Sequence, residues 1–460
     1  VHTQKFETGD GMEPGEPDAD GVKIRSALPA LTLAILAYFA DGFDLGVMGF
    51  IVPELVKTWH VAPAELVPVL SAQVFGLMVG ALLLGYLGDR MSRKAGMLIC
   101  LTIVGCFSLL TMFAADLRQL IVLRFLTGMG LGGLGPVVLA LAAEIAPKRF
   151  RGLFMVIIQF GVPAGLVIPG WTAALLVPRY GWTSLLLVGG VLPLAVAALS
   201  YAMMREAPSA RAEAPGEPDR NRPAPFRTLF AGRFAVITPM FWLLFAANQF
   251  TNFFVLSWLP TLLQSAGLST AQAAIKASLY ASGGIVGGLV LTVTIDRFGS
   301  IPVLILFLLG APAAAAIGLV DPSTIMLAAA VAACGFCVTG NNFATNALVG
   351  MIYPARVRSL ASGAAHAFGR LGALMAQLIG GLLFAHHVSM QGMYLTPATM
   401  LLVGAAASLV LTVACRPRPA RPQPGAAESN SVESLADSGP ESRVARLAGP
   451  VALENVDRAL

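Results

Sequence analysis

The chain is 460 residues long, 56% hydrophobic and only 12% charged, with a formal net charge of +5. A mean hydropathy of +0.76 with so few charges excludes ordinary soluble domains, in which about a quarter of residues are charged, so lipid must be the solvent for most of the chain. The pI near 9.1 reflects where Lys and Arg fall between apolar runs, and it does not point to nucleic acid.

The N-terminal segment 1–27 has a polar stretch over residues 1–24, which contains Glu, Asp, Gly and Pro and lacks the charged, apolar and small-residue succession of a cleaved signal peptide. The first helix is therefore expected to serve as the insertion signal. Breaks at charges, prolines and polar turns predict six helices over 28–52, 66–88, 95–115, 118–143, 152–176 and 182–204. Six more are predicted over 235–260, 273–295, 301–319, 323–349, 358–384 and 394–415, and the count of twelve turns on the short ninth segment. Most of these runs are long enough to cross a hydrocarbon core of ~30 Å at about 1.5 Å per residue, and the short alternating strands of a barrel do not fit. The Pro- and Arg-rich stretch 205–234 reads as a linker between an N-terminal bundle, 28–204, and a C-terminal bundle, 235–415. Residues 416–460, a Pro–Arg run followed by Ser, Glu, Ala and Gly, read as a disordered tail. The five cysteines lie in or at the end of predicted helices and imply no disulfide framework; the CxxC spacing of Cys334 and Cys337 reads as small-residue helix packing.

Basic residues set the expected orientation, because Lys and Arg flanking a span are retained in the cytoplasm. Arg90, Arg93 and Lys94 follow the second helix, Lys148, Arg149 and Arg151 the fourth, and Arg205 through Arg233 fill the linker. About 24 of the 30 basic residues fall in the termini and even-numbered loops, against roughly 3 in the opposite loops. A multi-pass protein of the cell inner membrane with both termini cytoplasmic is the expectation.

The two sets of six repeat one another. Asp89-Arg90 recurs as Asp296-Arg297, Pro147, Arg149 and Arg151 recur as Pro354, Arg356 and Arg358, and Pro53 recurs as Pro260, each at an offset of 207 residues. One register kept across six spans indicates duplication, and with it the parallel-repeat layout of a secondary transporter whose cargo site lies between the halves near mid-membrane. In that register Asp41 aligns with Asn248, Asp44 with Thr251 and Gln159 with His366. The acids belong to the first half alone, so a proton or cation site is expected there, with neutral polar groups facing it from helix seven.

Asp41-Gly42-Phe43-Asp44 places two carboxylates about one turn apart on one helix face. A buried, unpaired carboxylate costs several kcal/mol, so each must pair, face a wet cavity or take up a proton; proton coupling by Asp41 and Asp44 is the reading adopted. Arg124 matches Asp44 in depth. Two roles are open to it: a partner for Asp44, or a planar fork for a cargo carboxylate. Arg370 lies about mid-helix in Gly369-Arg370-Leu371-Gly372 with His366 one turn earlier; an unpaired cation there favours an anionic cargo. His366 is open as a packing residue or a proton relay. Helix seven carries Asn248, Gln249 and Asn252 among Phe250, Phe253 and Phe254, and helix ten carries Asn341, Asn342 and Asn346 with Phe343. Amides interleaved with rings suit an amphipathic aromatic solute, so Asn248, Asn252 and Asn342 join Arg124, Arg370 and His366 as candidate binding residues. Glu144 and Lys276, near helix ends, are read as snorkelling.

Gly85-Tyr86-Leu87-Gly88-Asp89-Arg90-Met91-Ser92-Arg93-Lys94 resembles the signature loop of the major facilitator superfamily, with Ser92 where Gly is usual. Gly85, Asp89, Arg90, Arg93 and Lys94 are accordingly expected to gate the cytoplasmic face through charge-assisted bonds that break and re-form. Within that superfamily the chain resembles the aromatic acid and proton symporters. The likeness rests on Asp41-Gly42-Phe43-Asp44, on Arg124-Phe125-Leu126-Thr127-Gly128 through Pro136, on Ser257-Trp258-Leu259-Pro260 and on Gly369-Arg370-Leu371-Gly372. Thr183, and Glu206-Ala207-Pro208 after helix six, depart from it. The resemblance implies an all-α membrane fold of two pseudo-symmetric six-helix halves and a proton-coupled uptake of a benzoate-like acid, with no cofactor or metal and a monomer as the working unit. A carrier for another organic anion or a sugar, and a transporter-like sensor, are the rival readings. No Gly-rich phosphate loop or metal cluster marks an enzyme.

Overall fold

The structure, a computed structural model, describes residues 19–146, 151–204 and 226–415. Among them are thirteen α-helices, which make up twelve segments long and apolar enough to cross a membrane. In chain order they are α1 (Ala19–Trp59), α2 (Val67–Arg90), α3 (Arg93–Thr111), α4 (Leu117–Ile145), α5 (Arg151–Gln159), α6 (Gly161–Tyr180) and α7 (Thr183–Met203). The second half comprises α8 (Phe234–Ser265), α9 (Thr270–Phe298), α10 (Ile301–Leu319), α11 (Ile325–Ile352), α12 (Ala355–Ala385) and α13 (Met390–Ala414). The fifth span is the pair α5 and α6, broken at Phe160, whose N–H is shared between the carbonyls of Val156 and Ile157. The ninth segment is a helix of 19 residues over Ile301–Leu319, so the count of twelve stands. The tail, the first 18 residues, most of the linker, and Lys148 and Arg149 lie outside the described residues.

Two predicted helix ends were wrong for the same reason. Helices one and seven were expected to stop at 52 and 260, yet α1 runs through Pro53 to Trp59 and α8 through Pro260 to Ser265. A proline removes one donor, so the carbonyl four residues earlier loses its bond but the helix need not end where that carbonyl finds another neighbour. Pro260 frees the carbonyl of Leu256, and that oxygen points at Gly49 of α1, where a side-chain carbon would overlap it. Gly49 and Leu256 are equivalent positions of the repeat, each four residues before its proline. The two halves therefore cross through matching points, and only a residue with no side chain permits that approach.

Turn chemistry fits the loops. Ser92, where the superfamily usually has Gly, accepts the backbone N–H of Ala95 and caps α3; Asp116 caps α4 through Gln119, and Ser269 with Gln272 forms a capping box on α9. Packing repeats between the halves: α2 on α4 matches α9 on α11, α3 on α7 matches α10 on α13, and α1 on α6 matches α8 on α12. Across the halves α6 meets α9, α1 meets α8 and α2 meets α12.

The cross-half contacts range from mid-depth to the face where α1 ends. There Thr270 at the start of α9 donates to Glu54 at 2.9 Å, and Lys57 donates to both Glu54 and Thr270, at 3.0 and 3.2 Å. Gly170 of α6 lies against Ala274 and Ser278 of α9, and Gly381 of α12 against Val67. On the opposite face, Arg93 forms an ion pair with Glu144 at 2.8 Å, Lys94 donates to the carbonyls of Tyr201 and Met204 at the end of α7, and the Arg90 guanidinium lies 4.4 Å over the Tyr86 ring. These partners belong to the first half. Glu144, expected to snorkel, is thus held by Arg93, and Lys276 is held by the carbonyls of Pro322 and Thr324. Gly85 packs loosely on Pro136, and the Asp89 side chain lies outside the described residues.

Candidate functional site

The two acids of α1, one turn apart, meet different surroundings. Asp44 is fully buried. One carboxylate oxygen accepts from the Ser108 hydroxyl of α3 at 2.6 Å and lies 3.5 Å from Arg124 Nη1 of α4; the other accepts from Gln73 Nε2 of α2 at 3.1 Å. Arg124, also fully buried, donates through Nη2 to Ser108 at 3.2 Å and Thr111 at 2.8 Å. Four helices thus close a buried ion pair in which both oxygens of Asp44 and the Nη2 of Arg124 are hydrogen-bonded, while Arg124 Nε and Nη1 make no hydrogen bond. Of the two roles open to Arg124, the structure shows the ion pair with Asp44, at 3.5 Å.

Asp41 has no such partner. Its Oδ1 is buried and makes no hydrogen bond, while the residue as a whole is half-buried. Its principal opposite charge is Arg370 of α12, across the boundary between the halves, and Asp41 is likewise the charge that acts on Arg370. Among the described residues no ion pair within 4.0 Å joins them, so the two charges act on each other at longer range than a salt bridge. The sequence set Arg370 apart from the acids; in the fold its charge acts on Asp41.

The polar groups of the second half bond among themselves. Asn248 of α8 donates to Asn342 of α11 at 2.8 Å, and its own Oδ1 is buried without a partner. Asn252 accepts the Tyr280 hydroxyl of α9 at 3.0 Å and belongs to a separate bond from Asn248. Gln377 of α12 donates to Ser257 at 2.8 Å, and Thr251 returns its hydroxyl to the carbonyls of Ala247 and Pro397. His366 bonds through Nδ1 to the Ser362 carbonyl at 2.9 Å, which requires the proton on Nδ1, and its ring lies 5.2 Å from that of Phe245. Thus the structure joins Asn248 to Asn342 and Asp44 to Arg124, and leaves Asn252 and His366 in bonds of their own.

Sequence reasoning missed Gln73, Ser108 and Thr111. The signal was present for Gln73, a lone amide in a segment of mean hydropathy 2.1, since a polar side chain there must find a partner. Ser108 and Thr111 carry little signal, because hydroxyls in membrane helices usually bond their own backbone. No group of three or more His, Cys, Asp or Glu is placed to hold a metal among the described residues.

Residues 34–311 and 242–453 match the Major Facilitator Superfamily profile. The gallate transporter of Pseudomonas putida is 35% identical over 377 residues, covering 76% of this chain and 84% of that protein. The 4-hydroxybenzoate transporter PcaK of Pseudomonas aeruginosa is 33% identical over 379 residues, covering 76% and 85%. In three dimensions the chain is similar to a crystal structure of the nucleoside transporter NupG, with a TM-score of 0.69 at 17% identity over 83% of this chain and 99% of that one. These relatives are transporters, and twelve spans make this a multi-pass membrane protein. The chain belongs to the major facilitator superfamily, and the curated relatives described here are named as transporters of aromatic acids.

Proposed function

We propose that the protein takes up a small aromatic carboxylate together with a proton across the inner membrane, by alternating access between bundles 28–204 and 235–415, with both termini and the linker cytoplasmic. The reading of the cargo is supported by relatives named for gallate and 4-hydroxybenzoate. The observation that carries the coupling is the contrast within one helix turn: Asp44 accepts from Gln73 and Ser108 and pairs with Arg124, whereas Asp41 has a buried oxygen without a hydrogen bond and no ion pair among the described residues. Asp44 with Arg124 is then the fixed pair, and Asp41 is the proton carrier.

The coupling follows from charge. With Asp41 ionised, the Arg370 cation is already offset and a second anion is repelled. A proton on Asp41 removes that offset, and Arg370 is free to take the cargo carboxylate, so anion and proton bind together or not at all. One proton per monoanion moves no net charge. Asn248 and Asn342 serve the ring substituents. Asp89, Arg90, Arg93 and Lys94, with Gly85, form the gate, re-making their bonds when the cytoplasmic face closes.

Uptake of a radiolabelled panel of aromatic acids by reconstituted protein, with and without an uncoupler, tests the reading. Accumulation of a benzoate-type acid that the uncoupler abolishes is the expected result. Uptake of hexoses or dicarboxylates in preference to benzoates would sink it, and so would accumulation indifferent to the uncoupler.

A further inference from the structure

Two rings join the halves at the depth of the charges. Phe160, at the break between α5 and α6, stacks on Phe343 of α11, with centroids 4.8 Å apart and planes 20° from parallel. Gly288 of α9 is the bed for the pair: a Cβ there would come to 2.8 Å from the Phe343 ring and 3.3 Å from the Phe160 ring. The level is that of the proton carrier and the amides. Gly161, next to Phe160, lies against Tyr38 and Phe39 of α1, and Asn342, next to Phe343, holds the bond from Asn248. Both rings are only half-buried, so the stack keeps accessible surface at this depth, and the unpartnered acceptor Asn248 Oδ1 belongs to the amide bonded beside it.

We propose that Phe160 and Phe343 are a specificity-determining pair that reads the cargo's ring while Arg370 takes its carboxylate, an inference that deepens the function proposed above and rests on it. The cargo ring takes one side of the stack in place of a phenylalanine. An aromatic ring restores the offset-stacked interaction it displaces; a saturated ring of similar size restores only the apolar contact. That difference corresponds to roughly two- to tenfold in KM. A hydroxyl on the ring would donate to Asn248 Oδ1, which favours hydroxylated acids over their unsubstituted parents. A contact serving only to pack the halves would have no reason to distinguish the two kinds of ring.

Initial uptake rates for benzoate and cyclohexanecarboxylate, equal in charge and close in size, test this in proteoliposomes holding the wild type, Phe160→Leu or Phe343→Leu. The wild type should show the lower KM for benzoate, by about two- to tenfold, and each Leu variant should raise the benzoate KM to the level of the saturated acid. A rise in both KM values by the same factor, or a fall in maximal rate alone, overturns the pair as a reader of aromaticity. Gly288→Ala keeps both rings but displaces Phe343 from its bed, so it answers the question where a Leu variant does not fold: selectivity should fall, and unchanged selectivity counts against the proposal. Phe343→Tyr should retain the preference. A wild type that takes up no acid of the aromatic panel refutes the aromatic-acid function itself, a failure visible before any variant is made.

Discussion

The two halves solve the same packing problem with different chemistry. In the first half Asp44, Arg124, Gln73, Ser108 and Thr111 form a charged network in the dry core. The equivalent positions of the second half, at the offset of 207, hold Thr251 for Asp44, Val331 for Arg124 and Ala315 for Ser108. Thr251 satisfies itself on backbone carbonyls, and Val331 is fully buried apolar surface. The second half shows that the fold needs no ion pair at this place. Replacing such a pair by apolar groups is often neutral or stabilising, so packing alone does not require the ion pair of the first half.

The strongest way to break this comparison is to transplant the second half's solution into the first. Arg124→Val alone leaves Asp44 buried without its cation, and Asp44→Thr alone strands Arg124; each should lower stability by about 3–5 kcal/mol, read by thermal unfolding in detergent. The double variant should recover most of that loss while remaining inactive in uptake. A double variant as unstable as the singles would mean that the pair is structural after all. Next comes the crossing of α1 and α8. Gly49→Ala sets a methyl group against the Leu256 carbonyl, and overpacking of this kind should cost about 1–3 kcal/mol together with transport; a fully stable and active variant would show that the halves do not depend on this contact.

The comparison of Asp41 with Asp44 is sharpened by Asp41→Asn. The amide mimics the protonated state, so counterflow of a benzoate-type acid should persist while accumulation driven by a pH gradient falls by about tenfold or more, the equivalent of at least 1.4 kcal/mol of lost coupling. Full accumulation in this variant would remove Asp41 from the proton's path. The smallest effect is expected at Lys57, half exposed beside Glu54. Lys57→Met should shift the unfolding free energy by less than about 1 kcal/mol, and a larger shift would make the Glu54, Lys57 and Thr270 contact a principal lock between the halves.

Much of the fold was legible because lipid imposes a one-dimensional rule. Every span must be apolar for about 20 residues with its backbone bonds closed internally, so the helices and the repeat could be read in order, the ninth with the bounds it has in three dimensions. The ends of α1 and α8 were not legible, because whether a proline stops a helix depends on what receives the freed carbonyl. For α8 the carbonyl of Leu256 lies against Gly49 of α1, more than two hundred residues away in the sequence.

The site divides in the same manner. Sequence alone established that two acids lie on one face of a membrane helix, that the second half lacks them, and that Arg124 shares the depth of Asp44, since spacing along a helix and position within a span are local quantities. Only the tertiary structure decided which acid is paired, because Gln73, Ser108 and Thr111 reach Asp44 and Arg124 from three other helices. It alone set Arg370 within electrostatic reach of Asp41 and laid Phe160 on Phe343, since contacts between helices of different halves depend on rotation and crossing, which hydropathy and spacing do not encode.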